Sequence, residues 1–200
     1  MGKLILVRHG QSQWNAKNIW TGLTDIPLSE KGREEAKQAA KSLQNLQIDT
    51  AYTSSLSRAQ ETLDIILQSL GKSNIPVVKN AALNERDYGD YTGKNKLEIK
   101  EQVGDEEFFK IRRGWNTPIP HGETLKDVYD RVVPYFEEEI LPKLKKGETI
   151  LVTAHGNSLR ALIKYLEHIS DDDIAKVEIG TCEVLVYNID DSGNASKQNI

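Results

Sequence analysis

Apolar positions along this chain come either in compact runs or at helical spacing, and the alternation between the two patterns divides it into strands and helices. Residues 3–8 form a compact apolar run closed at Gly10, the pattern of a buried strand. Comparable runs predict strands over 48–54, 75–78, 149–153 and 184–189. Between them the spacing becomes helical. Ser29 is placed to cap a helix carrying Ala36, Ala39, Ala40 and Leu43 inward, and from Ser55 the positions Ala59, Leu63, Ile66, Leu67 and Leu70 share one face that stops at Gly71. Leu125, Val128, Val132 and Phe136 predict a helix over 123–141 that Pro134 should kink, and a further helix is expected over 157–167.

Residues 83–120 interrupt the pattern. They are polar, charged and glycine-containing, with weak helical pieces at 97–103 and 106–113, and read as a small cap inserted over a site. After residue 189 a polar tail, 190–200, is expected to be loosely held. Strands alternating with helices predict an α/β fold in which a mostly parallel central sheet carries helices on both faces, all within one domain spanning residues 1–200.

Composition narrows the class. With a formal net charge of -4, the chain is not built to coat nucleic acid. The lone Cys182 excludes an internal disulfide framework, and the first residues lack a secretory signal, so a cytoplasmic protein is expected. Leu6 stands where a myristoylation motif requires Ser or Thr, and no apolar run is long enough to span a bilayer, so no membrane partner is expected. His9, His121, His155 and His168 are not spaced as metal ligands, there is no His-Glu-x-x-His, and a glycine-rich phosphate loop is missing. Neither a metal nor a nucleotide of P-loop or Rossmann type is implied.

What stands out instead is a repeated ending. Leu6-Val7-Arg8-His9-Gly10 and Val152-Thr153-Ala154-His155-Gly156 each close an apolar run with a histidine and a glycine. A strand that ends in a reactive side chain delivers it to the crevice at the carboxyl edge of an α/β sheet. A neutral imidazole can attack phosphorus to form a phosphohistidine, and arginines such as Arg8 and Arg58 both lower its pKa and neutralise phosphoryl oxygens. The helix starting past Gly156 would add its unpaired N–H groups. Taken singly these residues have plainer readings: Arg58 as a solvated arginine, Glu85 as an exposed carboxylate, Arg112 and Arg113 as a surface pair for Glu106 or Glu107, and Trp14, Trp20 and Trp115 as packing.

In order and spacing, Leu6–Asn15, Thr21-Gly22, Leu28-Ser29-Glu30-Lys31-Gly32, Thr53–Thr62, Leu83-Asn84-Glu85-Arg86-Asp87-Tyr88-Gly89, Arg112-Arg113 and Ala154–Leu162 resemble the histidine phosphatase superfamily. Within it, the Asn-Glu-Arg-x-Tyr-Gly and Arg-Arg segments resemble the 2,3-bisphosphoglycerate-dependent phosphoglycerate mutases of short form. The resemblance implies a phosphoglycerate mutase-like fold, His9 as phosphorylated nucleophile, Glu85 as proton donor and acceptor, His155 as transition-state stabiliser, and Arg8 and Arg58 as clamps on the phosphoryl group. It implies Ser12, Asn15, Thr21, Gly22, Gly156 and Asn157 around that group, and Arg86, Tyr88, Lys96, Arg112 and Arg113 at the far end of the substrate. It further implies small phosphoglycerates as partners, 2,3-bisphosphoglycerate as priming donor, no metal, and a monomer or small homo-oligomer. The chain departs from the longer mutases in its short path from Arg113 to His121, its early end after Ile189, and Thr181-Cys182-Glu183 in place of Gly-Val-Pro. Three readings stay open at this stage: a mutase, a hydrolase of small phosphate esters, or a silent binding module.

Overall fold

Among residues 1–198, which the computed structural model describes, six strands form one sheet: β1 (Gly2–Arg8), β2 (Thr50–Thr53), β3 (Val77–Lys79), β4 (Thr149–Ala154), β5 (Val184–Ile189) and β6 (Ala195–Gln198). Their spatial order is β3-β2-β4-β1-β5-β6. The first four run parallel, whereas β5 lies antiparallel to β1 and β6 antiparallel to β5. The sheet is therefore mixed and mostly parallel, as expected.

Alternation along β1 decides which layer each side chain enters, because successive residues of a strand point to opposite faces. Leu4 and Leu6 join Ile150 and Val152 beneath α6 (Leu125–Tyr135) and α8 (Gly156–Leu166), packing on Val128, Val132, Leu159 and Leu162. Ile5 and Val7 face the other way, onto α2 (Glu30–Ser42) and α3 (Ser57–Ser69), among Ala36, Ala40, Leu63 and Ile66. All four β1 residues are fully buried. Each such side chain stabilises the fold by about 1.5–3 kcal/mol before chain entropy is subtracted.

Local chemistry sets the element ends. Ser29 caps α2 by accepting from the Gly32 amide at 3.1 Å. Gly10 and Gly32 lie so close that a Cβ on Gly10 would sit 2.3 Å from the Gly32 carbonyl oxygen, which lets the loop after β1 cross directly over the start of α2. The helix predicted over 123–141 is instead three pieces: α6, a π turn over Phe136–Ile140, and α7 (Leu141–Lys145). Pro134 lacks the amide that would continue the ladder, and the π turn absorbs the mismatch immediately downstream.

The tail departs from expectation. Up to residue 198 it is not loose: Asp190 accepts from the amides of Ser192 and Asn194 at 2.9 and 2.8 Å, Gly193 adopts φ 97°, and the turn returns the chain as β6. Polar Ala-Ser-Lys-Gln disguised an edge strand whose pairing is all backbone. The last two residues of the expected tail, 199 and 200, lie outside the described residues.

Above the carboxyl edge of the sheet, α4 (Lys96–Val103) and α5 (Asp105–Arg113) gather with the intervening turns around Trp20, Tyr88, Ile111 and Ile119. No helix among the described residues is long and apolar enough to cross a membrane.

Candidate active site

Register brings the two histidines together. Strands β1 and β4 are parallel neighbours in which Arg8 pairs with Ala154, so His9 and His155 each stand one residue beyond the last matched pair. The His9 amide donates to the Ala154 carbonyl at 2.9 Å, and the two imidazole centroids lie 5.0 Å apart, about one strand spacing.

Both rings are buried. His9 Nδ1 lies 2.6 Å from the Gly10 carbonyl, which can only accept, so Nδ1 carries the proton and Nε2 keeps a lone pair. Burial, then the guanidinium of Arg58, then that of Arg8, hold the His9 pKa well below its ordinary value. Burial and then Arg58 do the same to His155, whose Nε2 lies 2.7 Å from Ser54 Oγ. Near neutral pH, His9 is thus an uncharged imidazole with a free lone pair. That is the form a nucleophile requires.

Arg58 is no solvated arginine. From the first turn of α3 its Nη1 and Nη2 donate to the carbonyls of Thr24 and Gly22 at 2.9 and 2.8 Å, while its Nε is buried without a partner. Arg8 repeats the arrangement: Nη1 donates to the Ile179 carbonyl at 2.7 Å and Nε is unpaired. Buried donors left unpaired are costly unless a ligand accepts from them, and these two line one cavity.

Glu85 is pinned through one oxygen. Its Oε1 accepts from the Arg86 amide at 2.8 Å and from the Asn157 amide and Nδ2 at 3.1 Å each. Arg131 of α6 fixes the loop behind it, donating to the carbonyls of Ala82 and Glu85 at 2.7 and 2.9 Å. Oε2 takes part in none of these bonds. A Cβ built on Gly156 would lie 3.6 Å from that Oε2 and 3.7 Å from Arg8 Nε, so the carboxylate and the guanidinium look onto the same point above the start of α8.

Those groups share a cavity of about 640 Å³ including its mouth, lined by Arg8, His9, Asn15, Trp20, Thr21, Gly22, Arg58, Glu85, Tyr88, Lys96, Arg112, Arg113, Gly156, Asn157, Arg160 and Ile179. Glu85 is the carboxylate in that lining, set against six arginine and lysine side chains. Within it, burial and then Arg112 pull the Lys96 ammonium down to about 8, and burial likewise lowers Arg113. Arg113 pairs with Glu178 across the rim and donates to the Val177 carbonyl at 3.3 Å, not to Glu106 or Glu107. Among the described residues no group of three or more His, Cys, Asp and Glu side chains is placed to hold a metal ion.

Three residues expected at the site are absent from the cavity lining: His155, fully buried beside His9, and Ser12 and Arg86. Ser12 is fully buried and caps the short helix α1 (Gln13–Ala16), accepting from the Asn15 amide at 3.1 Å. Its own amide donates to Asn15 Oδ1 at 3.1 Å, which leaves the Asn15 Nδ2 end for the cavity. Arg86 is buried behind the wall, its guanidinium 4.8 Å over the Tyr88 ring and bonded to the Ile111 carbonyl at 2.5 Å. Conversely, Arg160 lines the cavity without having been singled out. Its Nη1 donates to Asn157 Oδ1 at 3.0 Å, so the Asn157 amide must present Nδ2 to Glu85 and, at 2.8 Å, to the Tyr88 hydroxyl. The available signal was spacing: Arg160 stands one helical turn after Asn157 on the cavity face of α8.

Comparison with known proteins agrees with this geometry. The chain is 50% identical to the 2,3-bisphosphoglycerate-dependent phosphoglycerate mutase of Rhodopseudomonas palustris over 200 residues, covering 98% of this chain and 97% of the relative. It is 48% identical to the protein of the same name from Parvibaculum lavamentivorans, covering 98% and 95%. Among solved structures, Bacillus stearothermophilus YhfR superposes with a TM-score of 0.85 at 29% identity, covering 98% of this chain and 95% of that one. The sequence model of the histidine phosphatase superfamily, branch 1, matches residues 4–199, which takes in β1 from Leu4 onward, β2 to β6 and both histidine-bearing strand ends. A match of that extent makes this chain a member of the histidine phosphatase superfamily, branch 1.

Proposed function

We propose that this protein is a phosphoglycerate mutase that interconverts 3-phosphoglycerate and 2-phosphoglycerate through a phosphohistidine on His9, primed by 2,3-bisphosphoglycerate. The observation that carries the proposal is the number of cations gathered in one cavity. Arg8 and Arg58 act on His9, and Lys96, Arg112, Arg113 and Arg160 add positive charge beyond what a single phosphate needs, which suits a small acid bearing both a phosphate and a carboxylate. The names of the relatives from Rhodopseudomonas and Parvibaculum support the same substrate class.

In the forward step, the His9 Nε2 lone pair bonds to phosphorus as the ester P–O bond breaks. The departing oxygen takes a proton from Glu85, whose Oε2 faces the site. Arg8, Arg58 and His155 stabilise the equatorial oxygens, and the first amides of α8 contribute their unpaired N–H groups. The bisphosphate supplies the phosphoryl group that loads His9, and the cavity's cations would hold its two phosphates. In the return step the free hydroxyl of a monophosphoglycerate gives its proton to Glu85 as its oxygen takes the phosphoryl group and His9 is regenerated neutral. Asn15, Thr21, Gly22 and Asn157 complete the phosphoryl side, and Tyr88 the wall. Ser12 and Arg86 support this set from behind.

Incubation of the protein with 3-phosphoglycerate and a trace of the bisphosphate, followed by ³¹P NMR, tests the reading. We expect 2-phosphoglycerate and an acid-labile phosphate on the protein that His9→Ala abolishes. Release of inorganic phosphate without 2-phosphoglycerate would refute the mutase in favour of a hydrolase on the same scaffold.

A further inference from the structure

We propose that Ser54 is a positioning residue that locks His155 in the tautomer with its proton on Nδ1, so that His155 acts on the phosphoryl group as a donor. The proposal rests on the reading of this cavity as a phosphoryl-transfer site.

Three adjacent parallel strands converge here. β1 ends in His9 and β4 in His155, and β2, whose Thr53 pairs with Thr153, ends in Ser54. Ser54 is fully buried and lies within hydrogen-bond distance of two groups through its hydroxyl oxygen. The Leu56 amide donates to that oxygen at 3.1 Å, and His155 Nε2 lies 2.7 Å away. His155 Nδ1 is buried without a partner.

A neutral imidazole has one N–H and one lone pair, so two arrangements compete. With the proton on Nε2, His155 would donate to Ser54, whose own O–H would then have no acceptor among the described contacts. Nδ1 would meanwhile present a lone pair to an incoming anion, adding repulsion where charge builds up. With the proton on Nδ1, the Ser54 hydroxyl donates to Nε2 while accepting from Leu56. Every polar atom of that chain is then satisfied except one N–H, which is free for a phosphoryl oxygen. The form protonated on Nε2 leaves two buried groups unpaired, the Ser54 hydroxyl and the Nδ1 lone pair, against one in the other form, and one such group shifts the equilibrium by about 5- to 150-fold, which sets the direction. Ser54 therefore does for His155 what the Gly10 carbonyl does for His9.

The intact protein provides the first test. In protein labelled with ¹⁵N-histidine, with His155 assigned by its loss in His155→Gln, long-range ¹H–¹⁵N correlation should show Nδ1 protonated and Nε2 bare. A protonated Nε2 overturns the proposal, and because no turnover is needed, failure of the phosphoglycerate reading leaves this arm decisive. Ser54→Ala should convert His155 toward the other tautomer and lower kcat by about ten- to a hundredfold, short of the 10²–10³-fold typical when an anion-stabilising donor is itself removed. KM should stay within about twofold, and Ser54→Thr, which keeps the hydroxyl, should restore the tautomer and most of kcat. An unchanged ring pattern and unchanged kcat in Ser54→Ala would equally overturn it.

Discussion

Acidification should destabilise this protein through its two strand-end imidazoles, which the unfolded chain protonates and the fold holds neutral. In the unfolded chain His9 and His155 titrate near the ordinary value of 6.5, whereas in the fold both are held well below it. Below that value the unfolded state therefore binds protons that the native state refuses, and stability falls as the pH falls. Between about pH 7.5 and pH 5.5 each ring accounts for about 1.5 kcal/mol, and the pair for about 3 kcal/mol, until the native rings themselves protonate. Urea unfolding followed by tryptophan fluorescence at a series of pH values, in buffers free of phosphate and sulfate, measures this directly. Carboxylates titrate in the same range, so the decisive comparison is with His9→Asn, where carboxylate contributions cancel. The variant's loss of stability over the interval should be about 1.5 kcal/mol smaller than the parent's. Parallel curves would mean that His9 titrates in the fold as it does in the unfolded chain, and the buried, cation-flanked imidazole described above would fall with that result.

Gly156→Ala places a methyl group at ordinary contact distance from the protein but within the space shared by Glu85 Oε2 and Arg8 Nε. Its thermal midpoint should be kept while kcat/KM drops at least about tenfold, and full activity would show that the reacting group sits elsewhere. Arg113→Ala should raise KM for phosphoglycerate by about ten- to a hundredfold, the worth of a charge-assisted contact, and spare hydrolysis of p-nitrophenyl phosphate. Equal losses on both substrates would contradict a role for Arg113 away from the transferring phosphoryl group. Ser12→Ala removes a helix cap, so denaturation should register a loss of about 1 kcal/mol while kcat changes less than about threefold. A much larger kcat effect would mean that Ser12 reaches the phosphoryl group after all.

What could be read from residues alone was whatever is encoded locally. Compact apolar runs located β1, β4 and β5, and helical spacing located α2 and α3, to within a few residues, because a strand buried on both faces leaves a continuous run and a helix buried on one face leaves its period. The strand-end histidines were legible for the same reason: an apolar run followed by His-Gly places the ring at a sheet edge wherever the strand is inserted. β6 was illegible because an exposed edge strand of Ala-Ser-Lys-Gln carries no apolar period. Helix spacing around Pro134 described one helix, and only the backbone shows how the missing amide is absorbed by a π turn.

The sequence by itself determined the chemical inventory of this protein: imidazoles at two strand ends, arginines beside them, and a carboxylate in a polar loop. Tertiary structure alone decided which of them meet. Side-by-side pairing of β1 with β4 sets the rings 5.0 Å apart, a packing that turns Arg86 toward Ile111 keeps it out of the cavity, and the turn of α8 that aims Arg160 at Asn157 orients the amide holding Glu85. Local spacing records which face a residue buries. Strand register and side-chain direction depend on partners from distant parts of the chain, whose identity that spacing does not record.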